Sequence, residues 1–404
     1  MRILTTLALI FATGSVAAQP NSLLAESSLT EAEAILAAQP DKSPNDQFTY
    51  GAVLFLRGIE KSLQFRWQHN MAIKDFDLPV LRLPVPPNPD AQPFSPELIT
   101  VLFANLRDDM AVSQAALEAV SGEVSVKIDL MTLWFDINMN GVQDEGEGLI
   151  EFGINTTMSP RQARDMLAQT NPALTVQFDT ADVAWLNAYT HLLSGLSELV
   201  IAFDPTEAIT KVLSSNQAMM ALRGNTSAPN ILDALIGGNA GGFGGWVDQF
   251  AMVYGALNQQ PIAENTRAAH GHFLAMIEQN KVFWAAVATE TDNTLEWIPN
   301  ATQTAALGFT LPEGAAEAWQ AILGDAEQML RGELLVSYWR IAPAGGVNIQ
   351  KLFENPPAVD IVDWFQGAGL LPYLERGPTL SARNFRQFER MLLGDTLLFA
   401  LLFN

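Results

Sequence analysis

The sequence has no cysteine, few basic residues and no long uninterrupted apolar run. The absence of cysteine among 404 residues excludes disulfides and thiol catalysis, and it leaves no cysteine to which a lipid could be attached after a leader. Acidic residues outnumber basic ones by 44 to 22, for a net charge of −22. Such a field repels phosphate backbones and anionic lipid, so neither nucleic acid nor an acidic membrane surface is an expected partner.

The longest apolar segment near the C-terminus, residues 391–404, contains Asp395. It is shorter than the roughly 18 residues that a membrane-spanning helix requires, so we expect a buried terminal helix and no membrane span in the mature chain. Common catalytic signatures are also missing: the sequence contains no HExxH, no P-loop lysine motif and no GxSxG. No catalytic residue is therefore assigned.

The first 18 residues form a predicted signal peptide. Arg2 precedes an apolar run at residues 3–12, and small residues end at Ala18, just before Gln19. This order of a positive charge, a short apolar core and a small-residue cleavage site is typical of secretory leaders. We therefore expect a periplasmic or secreted protein that is cleaved near Ala18/Gln19.

The rest of the chain predicts a mainly α fold, a multi-helical array with a small β-hairpin insertion. Apolar residues make up 49% and charged residues 16%, which is enough to bury a large core. Helix starts are indicated by hydroxyl or carboxylate caps at Ser28, Ser95, Ser159 and Asp204, and Ser28 with Glu31 predicts a capping box. Apolar residues recur at threes and fours in the stripes 98–120, 185–203 and 319–334, and the proline-rich segment 77–96 predicts an extended crossing between helices. A glycine run at 237–245 separates an N-terminal helical region, 19–236, from a C-terminal helical region, 246–404, which forms either a separate unit or one body with the first.

Strand patterns are concentrated at about 122–155. SVKIDLMTLWFD alternates apolar and polar residues from Val126 through Ile128 and Leu130. GLIEFGI follows with Leu149 and Phe152, and residues 174–178, LTVQF, predict a further short strand. We therefore expect strands on both sides of the segment between them.

That segment is an acidic loop, DINMNGVQDEGE, with oxygen donors at regular intervals. Counted from its first residue, donors stand at positions one, three, five, nine and twelve, with glycine at six and a backbone carbonyl available at seven: Asp136, Asn138, Asn140, Asp144, Glu147, Gly141 and Val142. Alternate side chains of a tightly coiled loop point to one centre, and a glycine at six permits the sharp turn.

This segment resembles an EF-hand or dockerin-type calcium loop, and also the calcium loops of secreted bacterial β-sandwich modules. The resemblance covers residues 136–147 and implies one structural Ca²⁺ bound with a Kd of about 10⁻⁴ to 10⁻³ M. It implies side-chain ligation by Asp136, Asn138, Asn140 and Glu147, carbonyl ligation by Val142, and ligation by Asp144 directly or through water. Two features differ from paired EF-hand calcium sensors: Gln143 stands where an aliphatic residue is usual, and the sequence contains no second loop. The alternative is a metal-free turn, because turns rich in Asp, Asn and Gly also form without metal.

Other chemically capable residues carry weaker patterns. His270 and His272 point about 160° apart on a helix, so they cannot share a metal from one face. His191 lies two turns from Glu198, which indicates either an acid–base pair or a core histidine with satisfied hydrogen bonds. Aromatic residues stand close to acids in three further segments: Glu296–Trp297, Asp363–Trp364 and Tyr373–Glu375. Sugar-binding clefts require this combination, but ordinary protein cores also contain it.

The C-terminal third resembles uncharacterised exported proteins of Gram-negative bacteria, and this resemblance implies no activity. We expect a non-catalytic, calcium-binding helical protein with a binding or scaffold role toward an unidentified protein or glycan. The alternative is a periplasmic glycan hydrolase or lyase on a helical toroid. That enzyme needs two carboxylates in an aromatic cleft, such as Asp363 with Glu296.

Overall fold

The computed structural model describes residues 20–71, 80–152, 174–224, 243–306, 308, 310–384 and 386. The signal peptide, Ser159 and most of the glycine run lie outside these residues, as does the C-terminal segment from 387. The described helices are α1 Pro20–Glu26, α2 Leu29–Ala37, α3 Pro44–Gln68, α4 Leu98–Glu118, α5 Thr180–Ala202, α6 Thr206–Leu222, α7 Phe243–Leu257, α8 Ala263–Val287, α9 Ala315–Leu330, α10 Ile349–Glu354 and α11 Ile361–Gln366.

The described residues also form two small antiparallel sheets, so the prediction of a mainly helical chain with little strand is confirmed. The first sheet pairs β1, Ser125–Asp129, with β2, Thr175–Asp179, in the register Val126 to Phe178 and Ile128 to Val176. The second sheet, near the C-terminus, has the order β3 Val336–Ser337, β4 Gly345–Val347 and β5 Leu374–Arg376.

The long helices α3, α4, α5 and α8 form a row in which each helix packs on the next. Contacts at the first interface join Gly51 to Leu117 and Gly58 to Met110, so α3 and α4 run antiparallel. Glycine permits the close approach there, because a Cβ at Gly51 would lie 2.6 Å from the Leu117 Cδ2. Apolar side chains between the helices form a continuous core that includes Leu102, Phe103, Leu106, Met110 and Leu193.

The row joins the two regions on either side of the glycine run. Helix α5 belongs to the first region and α8 to the second, and they form the most extensive helix pair in the described chain. Their shared apolar cluster with α9 contains Ala184, Phe283, Trp284 and Ala318. The described parts of both regions therefore bury one common core.

Local signals explain several helix starts. Ser28 accepts a hydrogen bond from the Glu31 amide while the Glu31 carboxylate accepts one from the Ser28 amide, which confirms the predicted capping box. Asp204 accepts from the amide and hydroxyl of Thr206 at the start of α6. The helix predicted from Ser95 begins later, at Leu98.

The proline-rich segment between α3 and α4 has no helix or strand in its described part, 80–96, as its composition predicts. A buried cation holds it in place: Arg66, on α3, donates to the carbonyls of Met71, Val80 and Leu83. Burial lowers the pKa of Arg66 to about 10. The three carbonyl groups replace water around the buried guanidinium. These hydrogen bonds therefore attach the proline-rich segment to α3.

None of the helices in the described ranges is both long and apolar enough to cross a membrane.

Candidate functional site

The acidic loop closes at its base through backbone pairing. Phe135 donates to the carbonyl of Glu147 at 2.9 Å, Leu149 donates to the carbonyl of Leu133 at 2.8 Å, and Trp134 bridges Gly148. Beyond this bridge residues 149–152 are helical, so the strand predicted there is wrong for its described part. The partner of β1 is instead the segment 175–179, because pairing with β2 buries Val176 and Ile128 in a common cluster.

Aromatic packing anchors the loop base to α3. Phe135 and Phe152 meet edge to face with their ring centroids 5.5 Å apart. Both belong to a buried cluster with Ile137, Leu29 and Leu63. The apolar residue that precedes the loop, Phe135, is therefore part of the protein core.

The first ligand position is also fixed by polar contacts with α3. The amide of Asp136 donates to Glu60 Oε1 at 2.7 Å, and its carbonyl accepts from Gln64 Nε2 at 2.7 Å. Glu60 is fully buried and pairs with Arg57, which also donates to Glu33 at 2.9 Å. Burial raises the pKa of Glu60, partly offset by the Arg57 charge and the Asp136 amide. Both peptide groups of Asp136 are thus held before any ligand binds.

The chain then curls around the Asp136 carboxylate. Oδ1 accepts from the Asn140 amide and Oδ2 from the Gly141 amide, each at 3.0 Å. The turn needs left-handed backbone at Met139, φ 59°, and at Gly141, φ 75°. Glycine at 141 adopts this conformation without the steric cost that a side chain would carry.

Glu147 closes the opposite side of the loop. Its Oε1 accepts from the Ile137 amide and its Oε2 from the Asp144 amide, both at 2.9 Å. Asn138 and Asn140 donate through their side-chain amides to Asp144 Oδ2, at 2.6 and 2.9 Å. The structure therefore brings the side chains of positions three, five and nine together. Among the described residues, the three acids whose oxygens all lie within 4.8 Å of one another are Asp179, Glu290 and Glu296, and not the three loop carboxylates.

The electrostatics of this arrangement are one-sided. Asp136 and Glu147 are buried, with 9% and 3% of their surface exposed, and Asp144 is exposed. Within the described chain, no lysine, arginine or histidine forms a salt bridge with any of the three carboxylates. The hydrogen-bond donors that the described chain gives these carboxylates are neutral amides of the same loop.

A second carboxylate cluster was not predicted from the sequence. Oxygen atoms of Asp179, Glu290 and Glu296 lie within 4.8 Å of one another, next to buried Asp182 at the start of α5. Burial raises the pKa of Glu290 to about 7, with the neighbouring acids adding, and raises that of Asp182 well above its ordinary value. The DTAD capping pattern at 179–182 is visible in the sequence, but the approach of Glu290 from the segment after α8 is not.

Glu296 belongs to this cluster and not to a pair with Asp363. The backbone of Glu296 bridges to Gln177 of β2, which places its carboxylate near Asp179. Asp363 lies in α11, which packs on the 3₁₀ segment Ala368–Tyr373. Trp297 packs on the rings of Trp185 and Phe178, at 5.4 and 5.8 Å, as a core aromatic residue does.

The histidines separate as helical geometry predicts. His270 stacks on Phe353 and its Nε2 lies 2.8 Å from the carbonyl of Leu330. His272 faces the other way, and its Nδ1 lies 3.0 Å from the Nδ1 of His191 on α5. The sequence indicated either an acid–base pair of His191 with Glu198 or a core histidine. In the structure His191 contacts His272, and Glu198 contacts Asn265.

Comparisons with protein-family models, with curated proteins and with solved structures found no match to this chain.

Proposed function

We propose that this protein is an exported, non-catalytic binding or scaffold protein that holds one structural Ca²⁺ in the loop Asp136–Glu147. The observation that supports the proposal best is the burial of two loop carboxylates, Asp136 and Glu147, which have no salt-bridge partner in the described chain. Each accepts hydrogen bonds from two backbone amides of the same loop. A divalent cation at their centre supplies the charge that the neutral amides do not.

The donor set suits calcium in number and type. Calcium takes six to eight oxygen ligands with flexible geometry, and with both oxygens of Glu147 the loop offers about seven. The side-chain amides of Asn138 and Asn140 already meet at Asp144. Because a half-turn of an amide exchanges its nitrogen for its oxygen, the same two side chains can direct oxygen toward a cation at that point.

A structural role fits the attachment of the loop better than a switch. Glu60 and Gln64 hold Asp136 through its peptide groups, and Phe135 is in the core. Calcium binding therefore closes the outer part of a loop whose base is already fixed to α3. The expected consequence is a more stable connection between the β1–β2 sheet and the row of helices.

Export and partner class in this proposal derive from the sequence. The leader at residues 1–18 directs export, and a net charge of −22 keeps nucleic acid and anionic lipid away. The partner is then a protein or a glycan. The enzymatic alternative lacks support at the acids first considered, because Glu296 and Asp363 lie in different surroundings.

The test is calcium titration by calorimetry with thermal unfolding in calcium and in chelator, on the wild type, Glu147→Gln and Glu145→Gln. Both variants lose one negative charge from the same loop, but only Glu147 occupies a ligand position. We expect one equivalent of Ca²⁺ in the wild type, with stabilisation of about 2.7 kcal/mol at a hundredfold excess over Kd. Glu145→Gln keeps both effects and Glu147→Gln loses both.

Two results would contradict the proposal. Absence of binding heat together with an unchanged unfolding temperature removes the calcium site. Equal weakening by Glu145→Gln and Glu147→Gln shows that general negative charge, and not ligation in the loop, attracts the cation.

A further inference from the structure

The antiparallel register of α5 and α8 places two histidines face to face. Glu198 contacts Asn265 at one level of this helix pair, and His191 contacts His272 at the next. Seven residues separate the two levels on each helix, or about 10 Å along the axis. The histidine pair therefore lies apart from the Glu198 carboxylate, within the most extensive helix interface of the described chain.

The two imidazoles meet through nitrogen atoms. Nδ1 of His191 and Nδ1 of His272 are 3.0 Å apart, with ring centroids 5.3 Å apart and planes at 44°. A neutral histidine carries one N–H and one lone pair, so a proton on one Nδ1 bridges the two rings. When both protons are at Nε2, two lone pairs face one small volume, which is the ligand arrangement of a metal site.

The nitrogen separation permits both rings to ligate one metal ion. With metal–nitrogen bonds of about 2.0–2.1 Å, ligands 3.0 Å apart subtend about 95° at the metal. Imidazole is a good ligand for copper, nickel and zinc, and the general order of divalent affinities places Cu²⁺ first.

An ion pair lies at the other level of the same interface. Glu198 is buried and contacts both Asn265 and Arg107, so its negative charge offsets the nearby guanidinium.

We propose that His191 and His272 form a binding site for a divalent late transition-metal ion, Cu²⁺ in preference to Ni²⁺ and Zn²⁺, with water in the remaining positions. Binding moves the bridging proton from Nδ1 to Nε2 of the same ring, so no net proton is released. The site is independent of the acidic loop, because calcium takes oxygen ligands and copper prefers imidazole.

The experiment titrates Cu²⁺ into the untagged protein in excess Ca²⁺, with glycine as a weak competitor. Calorimetry measures stoichiometry in two buffers of different ionisation heat, and electron paramagnetic resonance counts coordinated nitrogens. We expect one equivalent, two imidazole nitrogens and, after subtraction of the proton uptake by displaced glycine, the same heat in both buffers. His191→Gln and His272→Gln each weaken binding by about tenfold or more, since one of two nitrogen ligands is lost.

His270→Gln is the matched control, because His270 lies on the same helix and points to Phe353 instead. Unchanged copper binding in this variant supports the site, and an equal loss in all three variants overturns it. Absence of copper binding, or a spectrum without two nitrogens, also overturns it. Should the glutamine variants unfold, nitrogen NMR of the four histidines decides: Cu²⁺ must broaden His191 and His272 and spare His69 and His270.

Discussion

Glu290 makes the protein less stable as the pH rises from about 6 to about 8. Burial raises the pKa of its carboxyl from an ordinary 4.5 to about 7, and the charges of Asp179, Glu296 and Asp292 add to the shift. In the unfolded chain the Glu290 carboxyl is solvated and Asp179 is distant in sequence. The folded protein therefore binds a proton at Glu290 in a pH range where the unfolded chain has released it.

The sign and size of the effect follow from proton linkage. A folded pKa above the unfolded value contributes stability that is complete below about pH 4.5 and is lost as the pH rises through about 7. For this shift, full linkage between pH 6 and pH 8 amounts to about 1.3 kcal/mol. Glu290 is only half-buried, so solvent screening reduces the expected loss to about 0.7 kcal/mol.

The assay compares urea unfolding of the wild type and Glu290→Gln across this pH range. His191 and His272 also titrate differently in the two states, but they affect both proteins alike and cancel in the difference. We expect the variant to gain about 0.7 kcal/mol relative to the wild type between pH 6 and pH 8. Glu278→Gln, which changes an exposed acid of α8, is the control. Its free energy of unfolding should differ from that of the wild type by the same amount at every pH.

This reasoning is refuted if the free energies of unfolding of the wild type and Glu290→Gln differ by the same amount from pH 6 to pH 8, because no proton bound at Glu290 is then linked to folding. A wild type that gains stability relative to the variant refutes it as well, since the folded pKa would then lie below the unfolded one.

Three substitutions test the packing around the row of helices, by urea unfolding. Gly195→Ala costs about 1–3 kcal/mol, because its Cβ would lie 2.8 Å from the Phe273 ring. A Cβ at Gly271 would have no atom within 4 Å, so Gly271→Ala should raise the free energy of unfolding by up to about 1 kcal/mol. An equal loss of stability at both sites contradicts the claim that close packing distinguishes them. Arg57→Met leaves the Glu60 carboxylate buried and unpaired and costs about 3–5 kcal/mol. A loss below about 1 kcal/mol shows that Glu60 takes up a proton instead.

Local patterns in the sequence predicted local structure well. The capping box at Ser28 and Glu31, the helical stripes and the proline-rich crossing segment depend on neighbours within a few residues, and the structure contains all of them. The strand expected after the acidic loop was wrong because a short apolar run does not specify its partner. β1 pairs with a segment about 45 residues away, where Val176 completes a buried cluster.

The spacing of donors in the acidic loop can be read from the chain alone, because ligand positions within twelve residues follow local turn geometry. Helix packing was needed to show that Glu60 holds Asp136, that Glu290 joins Asp179 and that His191 meets His272. Each of these contacts joins residues more than 70 positions apart, and helix packing, not periodicity, sets which faces meet. The chemistry that long-range packing creates is therefore the part of this protein that its sequence pattern does not display.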